Sequence, residues 1–182
     1  IWDECDPDRP LGALATVDPD EAAGRASAAF LGSVCGCILG KPLEFNPTLD
    51  QLQAGLGACG EWPISDYVST DALDALGARH RSWPATTRGH ITYTAPDDDI
   101  NYTILGMLLL EEHGLAFTPP DVRDMWLRHL PISMTFGPER TLLVKAGINH
   151  LPGGYPDGLD DWVRVLNPGD EKCGALIRAD AY

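Results

Sequence analysis

With 182 residues, 44% of them hydrophobic and 22% charged, the chain can bury one substantial core and lies outside the disordered range. A formal net charge of −14, with 13 scattered basic residues, excludes a binder of the nucleic-acid backbone, which needs clustered Lys and Arg. The five cysteines are odd in number and follow no framework, which excludes a disulfide scaffold and points to a reducing, cytoplasmic setting.

Residues 1–18 carry Pro, Asp and Gly without periodicity and read as a surface arm. No secretory signal is visible, and the first residue, Ile1, leaves room for a missing N-terminus. Asp18-Pro19-Asp20-Glu21 then opens a helix, with acids at the positive end of the macrodipole, that runs to about Leu39. Ala26, Ala29, Gly32, Ser33 and Gly36 would let other backbones approach it closely, which predicts a place at the centre of a helical domain. Its uncharged stretch, Ala26 to Gly40, spans 15 residues. That is core-helix length and short of a membrane span, so no membrane contact is expected. Cys35-Gly36-Cys37 has the look of a metal or redox pair, but no second Cys/His pair at zinc spacing accompanies it, which favours buried small residues. Gly40-Lys41-Pro42 ends the helix. Glu44 follows in the loop, open to a solvated or a functional reading.

From Asn46 to His90 the pattern is weak. Short helices are expected around Thr48–Ala54 and Asp71–Leu76, with loops at Trp62-Pro63 and Trp83-Pro84. The next strong helix follows Asp97-Asp98-Asp99 and is stopped by Gly114. Thr118, Pro119 and Asp121 form a capping box for a helix closed by Pro131. A further helix is expected from Pro138 to His150, before the loop PGGYPDG. No alternating strands and no internal repeat are present, so the predicted class is all-α.

The three successive aspartates pose a chemical question. Neighbouring carboxylates repel, and an apolar run, Ile104 to Leu110, begins directly behind them. Helix capping accounts for two of them, at roughly 0.3–1 kcal/mol each against the dipole; a third only adds repulsion. The other reading is a hard divalent cation, Mg²⁺ or Mn²⁺, held by oxygen ligands on a rigid helix end. His80, His90, His113, His129 and His150 form neither an HExxH pattern nor a triad.

Three segments in this order, AAFLGSVCGCILGKPLEF, PDDDINYTILGMLLLEEHG and NPGDEKCGALIRADAY, resemble the ADP-ribosylglycohydrolase family over roughly residues 22–182. The resemblance implies an all-helical fold around two divalent ions, usually Mg²⁺ and sometimes Mn²⁺, that hydrolyses the bond at the anomeric carbon of ADP-ribose. It places Asp97, Asp98 and Asp99 on the T-D-D-T metal motif, with either Pro96 or Asp97 at the position of its first Thr. Glu44 matches the acid near the ions that activates water or gates access. Cys173, Gly174 and Arg178 fall on the turn that cradles the diphosphate and ribose.

The sequence departs from the pattern at Cys37, where the family carries Asp in G-D-x-x-G, and at the first Thr of T-D-D-T. The family's second metal motif, D-x-D-[ST], does not occur. Residues 19–182 are therefore expected to be the N-terminal portion of the domain, completed by a further segment or a second chain, and inactive alone. ADP-ribose or an ADP-ribosylated substrate is the expected partner. A relative acting on a small nucleoside-like metabolite, and a non-catalytic ADP-ribose-binding or structural descendant, are the alternatives.

Overall fold

The computed structural model describes residues 16–148 and 174–181. The arm up to residue 15, His150, the PGGYPDG loop and Cys173 lie outside the described residues. Those described form helices and turns, with no strand among them. The helices are α1 (Pro19–Gly40), α2 (Leu49–Ala58), α3 (Thr70–Leu76), α4 (Trp83–Thr86), α5 (Asp98–His113), α6 (Pro119–His129), α7 (Gly137–Ile148) and α8 (Gly174–Ile177). The all-α class is therefore as the sequence pattern predicts. The chain divides into two units, Ile1–Ser33 and Val34–Tyr182, so α1 begins in the first and ends in the second.

In the first unit Asp18 starts α1, its Oδ1 accepting from the backbone N–H of Asp20 (2.8 Å) and Glu21 (3.1 Å). Among the described residues of this unit, the expected close approach of backbones along α1 is not seen. Ala26, Ala29, Gly32 and Gly36 are exposed, and a Cβ added at Gly24, Gly32 or Gly36 would meet nothing within 4 Å. Small side chains permit a close approach but supply no attraction of their own. The helix is also longer than its uncharged stretch. With the 3₁₀ turn that follows, Pro19–Leu43 spans 25 residues, long and apolar enough by length and composition to cross a membrane.

The second unit holds two apolar clusters. Leu56, Val68, Ala72 and Leu73 join α2 to α3, with Leu52, Leu76 and Trp83 packed against them. The approach is tight at Gly55, where a Cβ would stand 2.4 Å from Leu76 Cδ2. Thr48 and Gln51 close the capping box of α2. The Trp83-Pro84 segment, expected as loop, forms the single turn α4, which the Thr86 hydroxyl braces by donating to Ser82 O at 3.1 Å.

The second cluster is built by α5, α6 and α7 from Tyr102, Leu105, Leu109, Met125, Leu130 and Leu143. Leu109 and Met125 are at most 2% exposed, and each such burial is worth about 1.5–3 kcal/mol. The start of α6 is fixed by Asp121, whose carboxylate accepts from Thr118 N at 2.7 Å and Thr118 Oγ1 at 2.6 Å. This cluster anchors α5 and so fixes where the acidic end of that helix points.

Candidate metal centre

Asp97 is the N-cap of α5, in extended conformation, and its Oδ1 accepts from Asp99 N–H at 3.0 Å. Its other oxygen receives Lys41 Nζ at 2.7 Å. The pair is secluded, with 10% of the Lys41 side chain and 5% of the Asp97 side chain exposed. Lys41 also reaches Glu44 Oε2 at 2.9 Å, and that side chain is 59% exposed. One ammonium thus ties the α5 start to the loop acid, across the turn that ends α1.

The helix end and Lys41 neutralise Asp97, but among the described residues nothing comparable serves its neighbours. Burial, followed by the charges of Asp97 and Asp98, pushes the Asp99 carboxyl up to about 6. Burial and then Asp97 raise Asp98 as well. At Lys41 burial works against the charged form, but the hydrogen bonds it gives to Asp97 and Glu44 outweigh it and hold the ammonium well above its ordinary range. Among the described residues four carboxylates face one cation, and the group they form is short of positive charge.

Cys37 completes the group. It lies in the last turn of α1, four residues before Lys41. A ligand atom each from Cys37, Asp97 and Asp99 lie within 4.8 Å of one another. Donors around a single ion at bond lengths of ~2.0–2.3 Å stand ~3 Å apart, so modest side-chain rotation closes the set. The donors fit a divalent cation: two hard carboxylates with a third, Asp98, alongside, and one softer sulfur.

Gly174 and Arg178 meet at Glu139 of α7. A Cβ on Gly174 would stand 1.9 Å from Glu139 Oε1, and Arg178 Nη1 donates to that same oxygen at 2.6 Å. The guanidinium lies over the Trp126 ring, 5.5 Å from its centroid. Tyr102 relates this group to the aspartates, because its phenol is influenced by Glu139, Asp98, Arg178 and Asp99. His80 senses the acidic group too; burial and then Lys41 lower its affinity for a proton.

Asp97 and Asp99 therefore converge, Glu44 is joined to them through Lys41, and Asp98 stands beside the three-donor set. Cys173 falls outside the described residues. The sequence assigns no site role to Lys41, His80 or Tyr102, and it offers Cys37 both as half of a possible metal or redox pair and as a departure from the family pattern. The spacing of Cys37 to Lys41, and of Asp98 to Tyr102, was the available signal. A groove of about 460 Å³ is lined by Glu112, His113, Asp121 and Arg128. It sits at the opposite end of the 16-residue α5, roughly 20 Å away along the axis, and is separate from the acidic group.

The fold and the site together define an all-helical protein that gathers carboxylates at the start of a buried helix, an arrangement suited to a divalent cation. The ADP-ribosylglycohydrolase family model matches residues 18–181, and the chain belongs to that family. Membership carries a glycohydrolase type of hydrolytic activity, and metal dependence is general in the family. No curated protein and no solved structure matches the chain.

Proposed function

We propose that the chain is a metal-dependent hydrolase of a ribosyl N- or O-glycosidic bond in an ADP-ribosylated substrate. The observation that carries this reading is the convergence of Cys37, Asp97 and Asp99 in a chain of a glycohydrolase family. Asp97 and Asp99, with Asp98 beside them, would hold Mg²⁺ or Mn²⁺. When bound, such an ion orients ribose hydroxyls and polarises the reacting centre.

The chain's own residues have separate tasks. Lys41 fixes Asp97 and Glu44 in one geometry. The exposed Glu44 carboxylate meets solvent and, held at one oxygen by Lys41, can take a proton from an attacking water. Gly174 and Arg178 offer a backbone turn and a guanidinium to the substrate, against the flat support of Trp126. A two-ion site also needs carboxylates from a further element, and we assign these to another segment or a second chain. The cysteine pattern supports a cytoplasmic setting.

Calorimetry with Mg²⁺ and Mn²⁺ on the full chain tests the site. Asp99→Asn should weaken binding by at least about tenfold, the loss typical of removing even an outer partner of a metal. Hydrolysis of an ADP-ribosylated substrate should depend on the added ion and on the completing segment. Unchanged metal affinity in Asp99→Asn, or binding of ADP-ribose by the completed protein without turnover, would count against a hydrolase built on these residues.

A further inference from the structure

Among the described residues, Tyr102 Oη is a buried side-chain polar atom without a hydrogen-bond partner. The residue is 3% exposed. Its ring is fully employed, stacked on Trp126 at 5.0 Å and 30° and packed with Leu105, Leu109 and Met125. A phenylalanine would serve that packing equally well, so packing leaves the oxygen unexplained. Leaving a hydroxyl buried and unpaired costs free energy, and such groups call for a partner that binds.

The direction of the side chain says where that partner sits. Helical side chains lean toward the N-terminus, which turns Tyr102 toward Asp98 and Asp99, four and three residues back. The groups that act on the phenol are Glu139 of α7, Asp98, Arg178 just after α8, and Asp99. Arg178 is already committed to Glu139. A phenol is neutral and donating at physiological pH, and burial and then Glu139 raise this one further. With three carboxylates about it, an anion would be repelled. A neutral oxygen fits.

We propose that the Tyr102 hydroxyl is a positioning donor of the ligand site, giving its hydrogen bond to a neutral oxygen held beside Asp98 and Asp99. The oxygen belongs either to a ribose hydroxyl or to a water carried by the divalent ion. This rests on the hydrolase reading above and extends it to a residue outside the aspartate motif.

Tyr102→Phe removes only the oxygen and keeps the stack on Trp126. Its thermal midpoint without ligand should equal or exceed that of the parent, because an unpaired buried group is gone. Its affinity should fall about tenfold, as for loss of one hydrogen bond to a buried donor. The fall appears with Mg²⁺ alone if the acceptor is metal-held water, and only with ADP-ribose in the presence of Mg²⁺ if it is the sugar. A purely structural hydroxyl gives the reverse pattern, a lowered midpoint with both affinities within about twofold of the parent, and overturns the proposal. If the parent binds both probes and Tyr102→Phe matches it, only the role of Tyr102 falls. If the parent binds neither, the hydrolase reading falls with it.

Discussion

Replacing Lys41 by Met keeps the length of the side chain and removes, among the described residues, the only ammonium in contact with Asp97 and Glu44. The two contacts differ greatly in weight. Glu44 is 59% exposed, and its pair contributes little, because solvent screens it. Asp97 is secluded and would be left as a buried charge without its partner, a change that costs about 3–5 kcal/mol. The remaining hydrogen bond from Asp99 N–H and the helix dipole offset about 1 kcal/mol of this. A loss of about 2–4 kcal/mol is therefore expected in chelator.

With Mg²⁺ the balance changes, since the variant has lost a competing cation and its acidic group is more negative. An ion at 100 times its Kd stabilises the folded chain by about 2.7 kcal/mol. The parent gains from the ion as well, so the deficit should shrink by about 1.4 kcal/mol for each tenfold by which the variant binds Mg²⁺ more tightly. Urea denaturation followed by circular dichroism at neutral pH, with chelator and with saturating Mg²⁺, reads both quantities. A deficit that is the same in the two conditions would refute the idea that Lys41 and a divalent ion serve the same carboxylates. A deficit under about 0.5 kcal/mol in chelator would refute the weight given to burial.

Two further outcomes are expected. Cobalt(II) added to the full chain should produce a near-ultraviolet thiolate-to-metal charge-transfer band that Cys37→Ser abolishes and Cys35→Ser retains; the Cys37 variant should lose about tenfold or more in Co²⁺ affinity with little change for Mg²⁺. A band unaffected by Cys37→Ser would remove sulfur from the site. At Glu61 burial opposes ionisation, but hydrogen bonds from Ser69 and the charge of Arg88, at 2.5 Å, hold the carboxyl below its ordinary 4.5. A depressed carboxyl stabilises the fold above its unfolded value and loses that contribution as pH falls through its folded value. The stability advantage of the parent over Glu61→Gln should thus be complete above pH ~4.5 and shrink below it. A gap in urea midpoints that is constant with pH would contradict this.

The sequence by itself determined the helices, because their signals are local. Asp18, Thr48, Asp97 and Thr118 stand at helix starts, and Gly114 ends α5 with φ +62°. The run Ile104 to Leu110 reads only as apolar, and packing decides that Leu105 and Leu109, with Tyr102, form the buried face of α5. The short turn α4 was missed because four residues carry too little periodicity to be read. Family membership was legible too, since it rests on the order of three motifs. Tertiary structure alone decided how the aspartates are neutralised. Lys41 lies 56 positions from Asp97, and only the packing of the α1 end against the start of α5 brings its ammonium within 2.7 Å. The same packing put Cys37 among the donors. Pair energies and pKa shifts depend on distance and on exclusion of water. Neither quantity is written in the spacing of a chain until its elements have packed.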